Sequence, residues 1–265
     1  ETVPILGLGL VGQLGAQIAR CAGCRVLAFD LDASRVELAQ SLGIAGARRL
    51  QDSDPVEDTL AATRGQGADA VLIYAATASD EPVALAMRLS RKKGRVVVVG
   101  DVGMKLDRSL MYAKELDLRI STSYGPGRYD PVYEEKGRDY PFAYVRWTEG
   151  RNLAAFLELL AEGTIRVDPL VEQVFPVAEA PAAYASLGKP SRKPAVLLSF
   201  PSASGGTEKL ARTVKLERVH APVGKVKAVV VGAGSFMKEV LLPAFQREQV
   251  GALQAVVSGS GASSL

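Results

Sequence analysis

Residues 3–30 constrain the fold more than any other stretch. An apolar run from Val3 ends in Gly7-Leu8-Gly9-Leu10-Val11-Gly12, helical spacing follows from Val11 to Ala22, and a second apolar run, Arg25 to Asp30, closes on an acid. In such a turn the first glycine permits the tight bend from strand to helix. The second lets phosphates approach the backbone, and the third lets helix and strand pack closely. The helix N-terminus that follows favours negative charge. Asp30 stands 18 residues after Gly12, close to the spacing of about 20 at which an acid ending the second strand reaches an adenosine ribose.

This pattern predicts a dinucleotide site. Backbone at Gly7, Gly9, Leu10, Val11 and Gly12 would hold the pyrophosphate and Asp30 the ribose. The Asp30 charge would repel a 2′-phosphate, so NAD is expected over NADP. Asp32 competes for the same role, and Arg35 is placed to lie along an adenine. Two other readings stay open: a bare strand-to-helix turn with Asp30 capping a strand end, and a methyltransferase. The methyltransferase turn usually reads Gly-x-Gly-x-Gly, whereas here Val occupies position 11 and the third glycine is at 12.

Apolar runs and helix-length stretches alternate from Val3 to Ser123, which predicts an α/β fold with a doubly wound parallel sheet. Strands are expected at Val3–Leu8, Arg25–Asp30, Ala47–Leu50, Ala70–Ala75, Arg95–Val99 and Leu118–Ser123. Helices are expected at Val11–Ala22, Ala33–Leu42, Pro55–Thr63 and Pro82–Leu89, the last capped by Ser79 or Asp80. Pro4 lacks an N–H for the sheet ladder, so it is expected at the first residue or two of its strand. Residues 124–150 read as a long aromatic and charged loop, Leu153–Leu160 and Pro181–Leu187 as helices, and Ala195–Phe200 as a closing strand.

The expected domains are a dinucleotide-binding unit at 1–150, a remnant of a second lobe at 151–200, a linker at 201–224 and the start of a second Rossmann unit at 225–265. Pro201–Thr207 has the small polar composition of a flexible linker. The second unit carries a weaker turn at Gly232 and Gly234, where Met237 replaces the third glycine. Ser258 ends its second strand without an acid, which would suit NADP.

A net charge of +3 with scattered basic residues gives no footprint for nucleic acid or a membrane surface. Two cysteines and no apolar span predict a cytoplasmic protein. Cys21-Ala-Gly-Cys24 has the spacing of a metal or redox pair, but without further ligands core packing is expected and no zinc site in this chain. His220, the only histidine, reads as a solvated linker residue. The start at Glu1, directly before an apolar strand, leads us to expect a fragment.

The run Gly-Leu-Gly-Leu-Val-Gly-Gln, with Ala-Arg-Cys-Ala-Gly-Cys-Arg-Val and Asp-Leu-Asp-Ala-Ser-Arg, resembles the medium-chain, zinc-type alcohol dehydrogenases. The likeness extends through Gly67-Ala-Asp-Ala-Val71 and Gly94–Gly100 to about Phe200. It implies nicotinamide contacts at Ala75, Ala76, Thr77, Gly100, Asp101 and Val102, and a homodimer joined through the edge strand near 118–123. Residues Ser123–Glu135 and Tyr144–Glu149 look like two-domain oxidoreductases fused to a glucose-fructose oxidoreductase-type unit, which implies a sugar or polyol substrate. The resemblance places the catalytic residues largely outside this chain, so none is assigned here. The chain is read as part of an NAD-dependent oxidoreductase. The alternative is a non-catalytic nucleotide-binding or structural module. Arg128, Arg146, Trp147 and tyrosines 124, 129 and 133 form either a substrate-facing rim or a loop packed on its own aromatics.

Overall fold

The computed structural model describes residues 1–187, 193–201, 226–232, 234, 236–248 and 251–257. The chain divides into two units, Glu1–Ser202 and Ala203–Leu265. The first unit holds six strands: β1 (Thr2–Leu6), β2 (Arg25–Asp30), β3 (Gly46–Arg49), β4 (Ala68–Ile73), β5 (Ser90–Val98) and β6 (Asp117–Ile120). They pair in the order β3-β2-β1-β4-β5-β6, and every pair is parallel. Parallel neighbours require crossover connections. These run through α1 (Leu10–Cys21), α2 (Ala33–Ser41), α3 (Pro55–Ala62), α4 (Glu81–Leu89) and α5 (Arg108–Lys114).

Successive strand residues point to opposite faces, so each strand feeds two cores. Ile5, Val26, Ala28 and Ala47 pack with Ala16 and Ala19 of α1 and Val36 and Ala39 of α2. Leu6, Phe29, Val71, Ile73, Val96 and Val98 pack on the other face with Val83, Ala86, Met87 and Leu89 of α4. This is the doubly wound α/β arrangement expected from the alternation. The strand order reverses between β1 and β4, which opens a crevice at their carboxyl ends.

The Pro4 expectation needs correcting. Pro4 is the third residue of β1, in register with Leu27 of β2. The Thr2 N–H points toward β4, where it donates to Asp69 at 2.8 Å. By alternation Pro4 faces the same way, and pairing with β4 begins only at Ile5. Its missing donor therefore falls where no ladder bond is needed. Of the two proposed caps for α4, Ser79 performs the task, its Oγ accepting from the Glu81 N–H at 3.1 Å. Asp80 turns instead to the Lys105 N–H at 2.8 Å. Aspartates 32, 54, 107 and 130 cap helices by accepting backbone N–H groups left free in the first turn.

After β6 come α6 (Pro131–Glu134) and α7 (Glu149–Ala161), then β7 (Val171–Pro176), α8 (Ala180–Ser186) and β8 (Ala195–Ser199). Strands β7 and β8 form a separate parallel pair. Sequence reading missed β7, whose alternation is broken by Glu172 and Gln173 and which is bounded by prolines. The buried Gln17 of α1 joins this region to the sheet. Its amide donates to the Arg166 carbonyl at 3.1 Å and accepts from the Arg166 N–H at 2.8 Å.

In the second unit, β9 (Val226–Val231) and β10 (Gly251–Val257) pair in parallel. A wide helical turn at Met237–Leu241 leads into α9 (Leu242–Arg247) between them. Gly232 has φ +91° at the end of β9. His220, the 201–224 linker beyond Pro201, and Ser258 lie outside the described residues.

Candidate functional site

The glycine turn sits at the carboxyl end of β1, at the crevice. Gly7 has φ +98°, and a Cβ there would lie 2.8 Å from the Ala75 nitrogen. A Cβ on Gly12 would lie 2.0 Å from the Gly7 carbonyl oxygen. Gly9 differs, because nothing lies within 4 Å of the position its Cβ would take. The first and third glycines thus serve internal packing, and the second faces open space. Gly9 caps α1 without a side-chain acceptor, and the first turn of α1 holds no acid. Leu10 and Val11 are exposed. The unpaired N–H groups and positive end of this helix therefore meet solvent, where an anion is favoured.

Asp30 is buried at the end of β2 and accepts from the Leu8 N–H at 2.6 Å and the Asp32 N–H at 2.9 Å. It braces the glycine turn from below. Each carboxylate oxygen can accept a further hydrogen bond, so bracing and ribose binding are compatible. Asp32, the competitor, is engaged as the cap of α2. Its carboxylate accepts from both the Ser34 hydroxyl and the Ser34 N–H, and these bonds hold its carboxyl below the usual carboxylate range. Arg35 lies 3.7 Å from Asp30 and 3.8 Å from Asp32.

Across the crevice, the segments after β4 and β5 are tied together. The Tyr74 and Ala75 N–H groups donate to the Leu6 carbonyl, and those of Val99 and Gly100 to the Ile73 carbonyl. Thr77 bridges to Val102, and its N–H donates to Asp101 at 2.8 Å. A Cβ on Gly100 would fall 2.0 Å from the Ala75 oxygen. Ala75, Ala76, Thr77, Gly100, Asp101 and Val102 are therefore one local group beside the turn. Gly232 and Gly234 lie in the second unit, apart from this group in sequence.

Three residues escaped sequence reading. Gly15 accommodates Tyr74, whose hydroxyl lies 2.2 Å from the position of a Gly15 Cβ. Gln13, wholly buried, donates to the Leu8 and Arg35 carbonyls and fixes the turn against α2. Gln17 is the third. The available signal was two glutamines four residues apart on the inward face of α1, with a glycine between them.

The loop at 124–150 packs largely on itself. Tyr133 stacks on Tyr140 at 5.5 Å, the Tyr140 hydroxyl donates to Asp130, and Arg128 pairs with Glu134. Tyr129, Tyr144 and Trp147 remain exposed. The frame of the loop is internal, as the second reading expects, and its exposed aromatic faces leave the substrate-rim reading open.

Residues 11–135 match the family described as zinc-binding dehydrogenase. The chain is 27% identical over 194 residues to the 2-dehydro-3-deoxy-L-galactonate 5-dehydrogenase of Pseudoalteromonas atlantica, covering 71% of this chain and 48% of that protein. It is 27% identical over 184 residues to the D-arabitol-phosphate dehydrogenase of Enterococcus avium, covering 68% and 45%. A solved structure from Sinorhizobium meliloti 1021 bound to NADP, described as a zinc-binding dehydrogenase, is 26% identical with a TM-score of 0.52, covering 74% and 52%. The chain thus spans about half the length of the curated relatives it matches. These matches support kinship with the zinc-type dehydrogenases.

The described residues fit the nucleotide better than the metal. Cys21 and Cys24 are free thiols; Cys24 packs against the α1 side of the core, and Cys21 Sγ lies 3.8 Å from the Thr164 carbonyl. Among the described residues no three His, Cys, Asp or Glu side chains gather as metal ligands. No zinc site is formed by them. No helix among the described residues is long and apolar enough to cross a membrane.

Proposed function

We propose that this chain is the cofactor-binding part of a cytoplasmic, NAD-dependent dehydrogenase acting on a sugar or polyol. The observation that carries this reading is the open approach to Gly9 at the N-terminus of α1, with Asp30 braced beneath it. When bound, NAD supplies a hydride acceptor at C4 of its nicotinamide. The chain's own residues bind and orient it. The N–H groups at 9–12 receive the pyrophosphate, and Asp30 accepts from the ribose hydroxyls. The backbone at Ala75–Thr77 and Gly100–Val102 fixes the carboxamide, which sets the face of the ring presented to substrate.

In this reading residues 1–150 hold the cofactor, 151–200 belong to the substrate lobe, and 201–224 link to a second unit of the glucose-fructose oxidoreductase type at 225–265. Gly232, Gly234 and Ser258 form that unit's weaker turn. The relatives support a sugar-like substrate, since their names specify a deoxy sugar acid and a polyol phosphate. Edge strand β6 would pair with a second copy to form a homodimer.

Calorimetric titration of NAD and NADP into this chain tests the cofactor. NAD is expected to bind more tightly. Binding of neither, or a clear NADP preference, overturns the claim. If the protein binds NAD yet oxidises no sugar or alcohol, the non-catalytic nucleotide-binding reading replaces the enzymatic one.

A further inference from the structure

Three arginines of the 124–152 segment stack on aromatic rings, and two of them are already neutralised. Arg128 lies over Tyr124 and Tyr129 at 5.5 and 4.5 Å and pairs with Glu134. Arg151 lies over Phe142 at 5.1 Å, pairs with Asp139 and donates to the Val145 carbonyl at 2.6 Å. Arg146 is different. Its guanidinium sits 4.8 Å from the Phe142 ring centre and 4.1 Å from that of Trp147. No carboxylate of the described residues pairs with it, and its side chain makes no hydrogen bond to them.

Contact with a ring takes none of a guanidinium's conventional hydrogen bonds, and that planar fork matches a carboxylate or phosphate. Two rings hold this fork in place, so little side-chain freedom is lost when an anion arrives. Phe142 is itself held by Arg151, and both rings keep exposed surface, at 59% for Phe142 and 51% for Trp147. An exposed aromatic face beside a free cation suits an anionic, polyhydroxylated molecule.

The loop also lies at the relevant end of the sheet. The Ser121 N–H donates to the Val98 carbonyl at 2.8 Å, so the chain leaves β6 beside the end of β5, the strand that Gly100–Val102 follow. Its return is tied to its start: the Glu149 N–H donates to Pro126, and the Asn152 amide to Tyr124. The Trp147 carbonyl lies 3.9 Å from the Cβ position of Gly125. Trp147, next to Arg146, is thereby held against the start of the loop that leaves β6.

We infer that Arg146, braced between Phe142 and Trp147, recognises an oxyanion on the substrate, so that the sugar or polyol carries a carboxylate or phosphate remote from its reacting carbon. The inference rests on the dehydrogenase reading above and narrows its substrate class. Trp147 is the chain's only tryptophan, so its fluorescence reports this site directly.

The test titrates the chain, with and without NAD, with a neutral hexitol, the matching aldonate and the matching hexitol phosphate. A saturable change in Trp147 emission is expected with at least one anion, at an affinity about tenfold or more above that of the hexitol. Whichever of aldonate and phosphate binds identifies the anion. Arg146→Gln should abolish the preference while leaving NAD affinity unchanged. Arg138→Gln, an exposed arginine of the same loop outside the stack, should retain the preference. Equal binding of hexitol and anions, an unaltered preference in Arg146→Gln, loss of the preference in Arg138→Gln, or no saturable change with either anion overturns the inference. Failure of NAD to bind overturns the dehydrogenase reading instead, and the two failures are read from separate titrations.

Discussion

The three glycines of the turn look interchangeable as letters but face different surroundings. Gly12 has the Gly7 carbonyl where its Cβ would be, whereas Gly9 has nothing there. Gly12→Ala must move the backbone of the turn, and we expect a loss of about 1–3 kcal/mol in denaturant unfolding, the usual cost of overpacking. Gly9→Ala changes only a helix cap and should cost no more than about 1 kcal/mol. Its methyl group would stand where the pyrophosphate approaches, so NAD affinity should fall about tenfold or more. Thermal melts and NAD titration of both variants check this; the reverse pattern would contradict the assignment of Gly9 to the phosphates. The glycine spacing and Asp30 were legible in sequence because both obey a fixed local geometry. That Asp30 also supports the turn through the Leu8 N–H was not legible, because that bond joins residues 22 positions apart.

Among the elements, the far end of the sheet is held by one carboxylate. Asp69 on β4 accepts from the Thr2 N–H of β1 at 2.8 Å and from Arg91 of β5 at 2.9 Å. The Thr2 bond, with the Arg91 guanidinium beside it, holds this carboxyl below the usual carboxylate range. A lowered folded-state pKa gives a contribution that is complete above the unfolded value of about 3.9. It disappears as pH falls through the folded value, because the unfolded chain takes up the proton first. Asp69→Asn should therefore show a smaller drop in melting temperature between about pH 5 and 3 than the parent chain. An identical drop would remove Asp69 from the acid sensitivity. Helices α1 to α4 and most strands were legible from periodicity, since each of these helices turns buried residues to the sheet, whereas α5 and α6, which have no fully buried residue, were not read from the sequence. Strand β7 was not, because Glu172 and Gln173 break its alternation and Pro176 ends it, and its partner β8 begins 19 positions beyond its end.

At the scale of the molecule, β6 ends the sheet with one side unpaired among the described residues, and Ile120 is 67% exposed on it. An exposed apolar edge strand is a template for pairing with another chain. Sedimentation at micromolar concentration is expected to find a dimer, and Ile120→Lys should yield monomer with little change in melting temperature. A parent chain that sediments only as monomer would contradict the edge-strand dimer.

Sequence alone determined the alternation of strand and helix, the position of the glycine turn and the acid that follows it, because each follows from local sterics, hydrophobic period and fixed spacing. Tertiary structure decided which glycine faces open space, which of Asp30 and Asp32 is already engaged as a helix cap, and which of the three ring-stacked loop arginines has no carboxylate beside it among the described residues. These depend on neighbours that only folding brings within a few ångströms. Arg128, Arg146 and Arg151 read alike in the chain, and they differ only in what the closed loop places against them.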